Sequence, residues 1–435
     1  MSAHNALPGF RDFCPPDFAV RAHIMGAWQE VSRRYGFEQY DGPPLESLEL
    51  YVEKSGEEIV RQLYNFTDKG GRDVALRPEM TPTLARMVGA QAGSLRKPIR
   101  WFSMPQLFRY ERMQRGRLRE HFQWNVDIVG DDDIAADAEV LAVALDGLRF
   151  LGLRAADIVA RFNDRRLLEA VLTDIGVPPD RLLAAYSAID RLGREPLERI
   201  ADRLRADVAL DSVAVDRLLA LFAETGGLQA LAAAHGHNEA VARSLRQLER
   251  YQNRLVELGL GDYIRFDISI VRGLAYYTGT VFEIFDRRGE LRAVCGGGRY
   301  DRLLASVSDA DLPAAGFGMG DVVLKELLRD RALLPDSRQT VDVFLVGIDE
   351  QQQPLLLELA QRLRASGCSV LYTLRPVGVA KQLKEADARG ARRAVLLGPD
   401  ELARGAATVR IMASGEQREV TLEQLRQDPG AVLTG

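Results

Sequence analysis

The sequence predicts a mixed domain of helices and strands, interrupted by a helical insertion and followed by a compact α/β module. Three observations predict it. Residues 100 to 130 alternate polar and apolar side chains as strands do; from about 160 to 258 the composition turns to Leu, Ala, Arg and Glu at three- and four-residue apolar spacing; beyond 341 short apolar strands alternate with helical stretches. A chain of 435 residues also exceeds the ~250 to 300 at which a single core stops growing, so two or three domains are expected.

Composition bounds the classes. The chain is 46% apolar and 27% charged, with 38 Gly and 18 Pro, as in ordinary globular proteins. Residues Met1 to Phe13 lack the apolar core of a secretory signal, and no apolar run approaches the ~18 residues of a membrane span. Cys14, Cys295 and Cys368 show neither pairing nor metal-ligand spacing, which favours a reducing compartment, and the chain reads as cytoplasmic. A net charge of -5 argues against a surface that is basic throughout, yet allows a local basic site.

Taken in order, Ser55-Gly-Glu-Glu58 is a capping box opening a short helix. In Leu76-Arg-Pro-Glu-Met-Thr-Pro-Thr, Thr81 reads as an N-cap and Pro82 as the first helical residue, with Glu79 just ahead of the helix start. Residues 100 to 130 read as strand, loop, strand. Arg109 and Glu111 share one face there, opposite Phe108 and Tyr110; His121, Gln123, Asn125 and Asp127 share another, opposite Phe122, Trp124, Val126 and Ile128. One face is thus core, and the other gathers acids, amides and arginines near a loop holding Arg112, Arg115 and Arg117. Such a face is either a solvated hairpin or a polyphosphate site, for which the planar, permanently charged guanidinium is suited.

The insertion includes Asp180-Arg-Leu-Leu-Ala-Ala-Tyr186 and Ser244-Leu-Arg-Gln-Leu248. Strand signals return in Tyr263 to Ile270 and Thr280 to Phe285, with a turn at Asp286-Arg-Arg-Gly-Glu290 before a strand at Leu291-Arg-Ala-Val294. Tyr276 and Tyr277 point opposite ways if extended, one towards core and one towards a site. The run Cys295-Gly-Gly-Gly-Arg-Tyr-Asp301 reads as a glycine run feeding a helix, which could cradle phosphates, let a substrate approach the backbone, or simply form a tight turn. Strands at Val341 to Ile348, Ser369 to Tyr372 and Arg393 to Leu397, with helices ending near Gly367 and spanning Val379 to Arg389, make the terminal module. Metal-ligand clusters, a P-loop and a G-x-S-x-G elbow are absent from the sequence.

Together these segments resemble the histidyl-tRNA synthetases, class II aminoacyl-tRNA synthetases. The resemblance rests on Leu7-Pro-Gly-Phe-Arg-Asp12, Tyr35-Gly-Phe-Glu38, Asp68-Lys-Gly-Gly-Arg72, Leu76-Arg-Pro-Glu79, Phe108-Arg-Tyr-Glu-Arg112, Val271-Arg-Gly-Leu-Ala-Tyr-Tyr-Thr-Gly279, Gly296-Gly-Gly-Arg-Tyr-Asp301 and Gly316-Phe-Gly-Met-Gly320, in the family's order. It implies an α+β catalytic domain, 1-325, built on a six-stranded antiparallel sheet with flanking helices and a helical insertion at about 160-258. A linker, 326-340, then leads to an anticodon-binding-like α/β domain, 341-435, in a homodimer with Pro43 at its interface.

The resemblance also implies roles. Arg109 and Arg272 would serve the reacting α-phosphate; Glu111, Arg117 and His121 would bind ATP, with Mg²⁺ screening its phosphates; Glu79, Thr81 and Gln123 would take the ammonium of histidine; Asp127 and Tyr277 would read its two imidazole nitrogens, with Arg272 and Tyr276 also in the histidine site. The partners implied are tRNA(His), L-histidine and ATP, with no membrane. Three departures stand out: Val323 where the family's last motif carries an arginine, His121 at an aromatic position, and Ala275 where aspartate is common. Lys325, two helical residues on, points about 200° away from that position. The alternatives are a histidine-binding regulatory paralogue of a phosphoribosyltransferase, and another class II synthetase such as one for threonine or proline.

Overall fold

In the computed structural model, residues 5-52, 62-192, 195-223, 227-271, 276-336, 340-348, 350-428 and 430 are described. The capping box Ser55-Gly-Glu-Glu58, Arg272 and Ala275 lie outside them. The chain divides into two compact units, Met1–Pro335 and Asp336–Gly435.

The first unit opens with the helix Pro15–Arg34. Prolines start it where the N–H groups have no intrahelical partner, and Asp17 at its head and Arg33 and Arg34 at its tail oppose the helix dipole. Its buried stripe, Val20, Ile24, Ala27, Trp28 and Val31, keeps one face on the core. In chain order the strands are β1 (Glu38–Gln39), β2 (Leu45–Ser47), β3 (Tyr64–Thr67), β4 (Asp73–Leu76), β5 (Ile99–Ser103), β6 (Gln106–Phe108), β7 (Glu120–Val129), β8 (Ile158–Asp164), β9 (Ile264–Phe266), β10 (Thr280–Asp286), β11 (Cys295–Arg299) and β12 (Ala314–Gly320). The large sheet runs β1-β5-β7-β12-β11-β10-β8-β9, with β6 also pairing β7, and β2-β4-β3 form a small separate sheet. The six strands from β5 to β8 are antiparallel throughout, as expected, and a parallel strand is added at each edge.

Polarity alternates along β7 as the sequence predicts. Trp124, Val126 and Ile128 enter the main core beneath the helices Pro15–Arg34 and Ile134–Phe150. Trp124 stacks on Trp28 at 6.0 Å and donates to Ser32 at 2.9 Å. The fit is tight, since a Cβ at Gly147 would lie 2.4 Å from the Trp124 ring.

Between β8 and β9 run the helices Arg165–Ile175, Leu182–Ile189, Leu197–Asp207, Ser212–Ala223, Gly227–His235 and Glu239–Glu257. Residues 160 to 164, read with the insertion, instead continue β8, whose full register with β10 outweighs their proximity to helical composition. Asp164 ends that strand and caps the next helix, accepting from the Arg166 N–H at 2.8 Å. The inserted helices share the core of the sheet through residues such as Leu172, Leu204, Leu245 and Leu255.

The second unit has strands β13 (Val341–Gly347), β14 (Val370–Tyr372), β15 (Ala391–Leu397), β16 (Ala406–Ile411) and β17 (Gln417–Thr421), ordered β14-β13-β15-β16-β17. The first three are parallel and the last two antiparallel. Leu356, Leu359, Ala360 and Leu363 of the helix Gln353–Ala365 cover one face of this sheet, and Ala386 of the helix Val379–Ala388 packs on the other.

Candidate active site

The site face of β7 carries His121, Gln123, Asn125 and Asp127 side by side. What lets them lie over the sheet is the composition of the next two strands. Gly316 pairs with Asp127 and Gly318 with Asn125 across β12, and β11 contributes Gly296, Gly297 and Gly298. A Cβ at Gly316 would lie 2.0 Å from the Asp127 carboxylate, one at Gly318 within 2.9 Å of the Gln123 amide, and one at Gly298 3.0 Å from the Tyr277 ring. The run Cys295 to Arg299 is therefore a fully buried strand, which excludes the tight turn among the readings its glycines allow, and Leu291–Val294, expected as a strand, precedes it without being one. Glycine is required here by close approach of neighbouring side chains.

At one end of this face lies the loop between β6 and β7. The strand expected to continue through Glu111 stops at Phe108, and Arg109 bonds across the loop, its N–H donating to the Arg119 carbonyl at 2.9 Å. Phe108 and Tyr110 join Phe10 and Tyr64 in an aromatic cluster, but Tyr110 is 54% exposed, so this side lies at the surface and not in the core expected for it. The Arg109 Nε donates to the Pro78 carbonyl at 2.8 Å, which sets the guanidinium beside Glu79 in the chain. Glu111 is buried and ion-paired with the half-buried Arg117. Burial above all, then the charges of Arg109 and Arg11, push the His121 imidazole down to about 3, so it is neutral at physiological pH and offers an uncharged ring.

Acids gather at the other end. Asp127, 4% exposed, accepts a hydrogen bond from the Tyr300 hydroxyl; burial pushes its carboxyl up to about 7, against the opposing pull of that bond. Glu79, equally buried, accepts from the Tyr276 hydroxyl at 3.2 Å. Tyr276 lies 5.0 Å from Tyr277 and 5.8 Å from Tyr300, ring to ring, so three tyrosines wall this end. Tyr277 is the more buried of the adjacent pair, packing with Leu84, Val281 and Ile99. Thr81 is the first residue of the helix Thr81–Gly89, with Met80 at the cap and Pro82 one position further in than expected. The offset of one residue leaves Glu79 at the positive end of the helix.

Several residues of this face were not visible in sequence. Tyr300 was hidden in the glycine motif. Arg77, 5% exposed, holds Leu76-Arg-Pro-Glu79 in place by donating to Asp41 at 2.7 Å, the Gly42 carbonyl at 2.6 Å and the Gln106 carbonyl at 3.1 Å. Tyr40 and the fully buried Ser103 add hydroxyls beside Asp127. Val323 packs against Gly116 of the loop, and Lys325 points elsewhere, to Asp17 at 2.9 Å, so neither brings a cation from the helix Asp321–Asp330 to the site.

Comparison with known proteins gives this face a lineage. The histidyl-tRNA synthetase family model matches residues 9–321, and an anticodon binding domain model matches 341–427. A histidine--tRNA ligase of Opitutus terrae is 42% identical over 431 residues, covering 98% of each chain. A chloroplastic/mitochondrial histidine--tRNA ligase of Arabidopsis thaliana is 41% identical, covering 97% of this chain and 86% of that one. The crystal structure of a histidyl-tRNA synthetase from a Nostoc species superposes with a TM-score of 0.83 at 23% identity, over 98% of this chain and 99% of that one, and shares the fold. By the extent of these matches, and with the glycine-floored strands and their polar neighbours lying inside the matched span, the chain belongs to the histidyl-tRNA synthetase family.

Proposed function

We infer that the chain ligates histidine to tRNA(His), using ATP to form histidyl-adenylate and then transferring the histidyl group to the terminal ribose. The observation that carries this reading is one strand face with two chemically distinct ends, joined where Arg109 is tethered to the residue preceding Glu79. The cationic end suits a nucleotide polyphosphate, and the acidic, tyrosine-walled end suits an amino acid with a polar, cationic character.

In the first step a carboxylate oxygen of histidine attacks the α-phosphorus, the bond to pyrophosphate breaks, and charge builds on the phosphoryl oxygens. Arg109 stabilises that charge; Arg272, outside the described residues, is assigned to the same transition state on the family resemblance. Glu111 and Arg117 orient the nucleotide, and the neutral ring of His121 stacks on its base. Glu79, Thr81 and Gln123 receive the ammonium. Asp127 accepts the imidazole N–H, with Tyr276 and Tyr277 completing the wall. In the second step the ribose hydroxyl attacks the carbonyl carbon and AMP leaves; here the enzyme chiefly positions reactants. Mg²⁺ would accompany the nucleotide, a role that the family resemblance implies. When bound it screens the phosphates.

The unit containing β13 to β17 is assigned to the tRNA anticodon. A homodimer is proposed through the small sheet, where Pro43 and Pro44 are exposed and Leu45 and Phe66 present 37% and 53% of their surface. Cys14, Cys295 and Cys368 are free thiols, and no helix among the described residues is long and apolar enough to cross a membrane, which supports assignment to the cytoplasm. A regulatory paralogue is disfavoured by relatives named as ligases over nearly the full length. A threonine or proline enzyme is disfavoured by the buried Asp127.

The test is amino-acid-dependent exchange between ATP and pyrophosphate without tRNA. Exchange confined to histidine is expected. Histidine binding without exchange would instead favour the regulatory reading.

A further inference from the structure

Arg11 takes part in none of these steps, yet it is the centre of a charged cluster at the nucleotide end. Its side chain is four-fifths buried, with Nε 2.6 Å from Glu120 and Nη1 2.9 Å from Asp321. The second Nη lies 3.3 and 3.4 Å from the remaining oxygens of the same two carboxylates. Both acids are almost wholly buried and further engaged. Glu120 accepts from the Gln106 amide at 3.0 Å, and Asp321 from the Phe122 N–H at 2.9 Å. Phe13 continues the grip, meeting the Phe122 ring edge-on at 6.0 Å beneath the Arg11 guanidinium.

Glu120 and Phe122 are the two neighbours of His121. They face away from the site while His121 faces into it, so the cluster grips β7 from behind on both sides of that one residue. Asp321 is the first residue of the helix Asp321–Asp330 that carries Val323, so the same guanidinium joins the segment before the first helix, the central strand and that helix. The Arg11 charge also helps keep the His121 ring neutral, adding to burial and to Arg109.

We propose that Arg11 is a positioning residue for the nucleotide end of the site: by clamping Glu120 to Asp321 it fixes His121 relative to the helix Asp321–Asp330, and so governs ATP affinity but not histidine affinity. This rests on the assignment of His121 to the nucleotide. A bidentate fork reaching two carboxylates at once is a task for arginine, because a lysine ammonium lacks the planar geometry. A purely stabilising role would affect both substrates alike.

The experiment measures KM for ATP and for histidine separately, by pyrophosphate exchange with the full-length protein. The variants are Arg11→Met, Arg11→Lys and, as a control on the underlying assignment, His121→Ala. Arg11→Met is expected to raise KM for ATP about tenfold and leave KM for histidine within about twofold, with Arg11→Lys in between. Equal rises for both substrates, or no rise where His121→Ala does raise KM for ATP, would overturn the proposal. If His121→Ala also leaves KM for ATP unchanged, the nucleotide assignment itself fails and the role of Arg11 with it. Should Arg11→Met not fold, Asp321→Asn keeps the acceptor for the Phe122 N–H while weakening the ion pair. It is expected to shift KM for ATP by about threefold, again without histidine, and a shift of both would overturn the proposal.

Discussion

Replacing Asp127 by asparagine separates what the site needs from what the fold prefers. The side chain is 4% exposed, and burial lifts its carboxyl from the ordinary 3.8 to about 7. A carboxyl whose folded-state pKa is raised holds its proton more tightly in the folded chain. Its contribution to stability is therefore lost as pH climbs from the ordinary aspartate range to about 7, and stays lost above it. The full displacement, near 3 pH units at about 1.4 kcal/mol each, opposes folding by ~4 kcal/mol once the group is ionised. Asparagine keeps the shape and the acceptor for the Tyr300 hydroxyl but carries no charge. Asp127→Asn is expected to be more stable than the parent protein, with an advantage larger by roughly 2 to 3 kcal/mol at pH 8 than at pH 5. Denaturant midpoints at the two pH values, read with unchanged slopes, measure this. Pyrophosphate exchange with histidine on the same samples is expected to collapse, because an amide is a weaker acceptor for the imidazole N–H and presents a donor as well. A stability difference that does not vary with pH, or activity within a few-fold of the parent, would refute the reasoning.

Three further outcomes are expected. Arg109→Ala should reduce adenylate formation by about a hundredfold or more with fold and oligomeric state intact by circular dichroism and sedimentation, whereas survival within a few-fold removes its assigned role. Gly316→Ala would set a methyl 2.0 Å from the Asp127 carboxylate and 2.7 Å from the Val126 carbonyl, so it should destabilise by roughly 1 to 3 kcal/mol and raise KM for histidine more than for ATP. Deleting residues 336–435 should weaken tRNA charging far more than pyrophosphate exchange, and equal losses would contradict a tRNA-binding role for that unit.

The alternation along β7 was legible because a half-buried strand writes its two faces into every second residue, and Trp124, Val126 and Ile128 do go to the core. The direction of Lys325 followed equally well from helical periodicity. The β11 strand was not legible for the opposite reason. Three consecutive glycines carry no alternation, and what demands Gly297 and Gly298, the backbone of Gly316 and Thr280 with the side chains of Phe317, Phe282 and Tyr277 close by, is remote in sequence. The role of Arg11 is not legible for the same reason, since its partners lie 109 and 310 positions away. The strand continuation through Glu111 failed because the chain leaves the β7 ladder after Phe108 and turns back at Arg119, a change of partner that local pattern does not record.

The pairing of Glu111 with Arg117 has a consequence for how an anion enters this end of the site. The guanidinium already holds a carboxylate, so on the proposed assignment an arriving phosphate would exchange one anionic partner for another and would not meet a cation surrounded by mobile ions. Added salt weakens the internal pair along with the incoming one, and the two effects oppose each other in the binding equilibrium. Nucleotide affinity at this loop should consequently fall less steeply with ionic strength than its arginine content suggests. The carboxylate serves as a built-in counterion to Arg117.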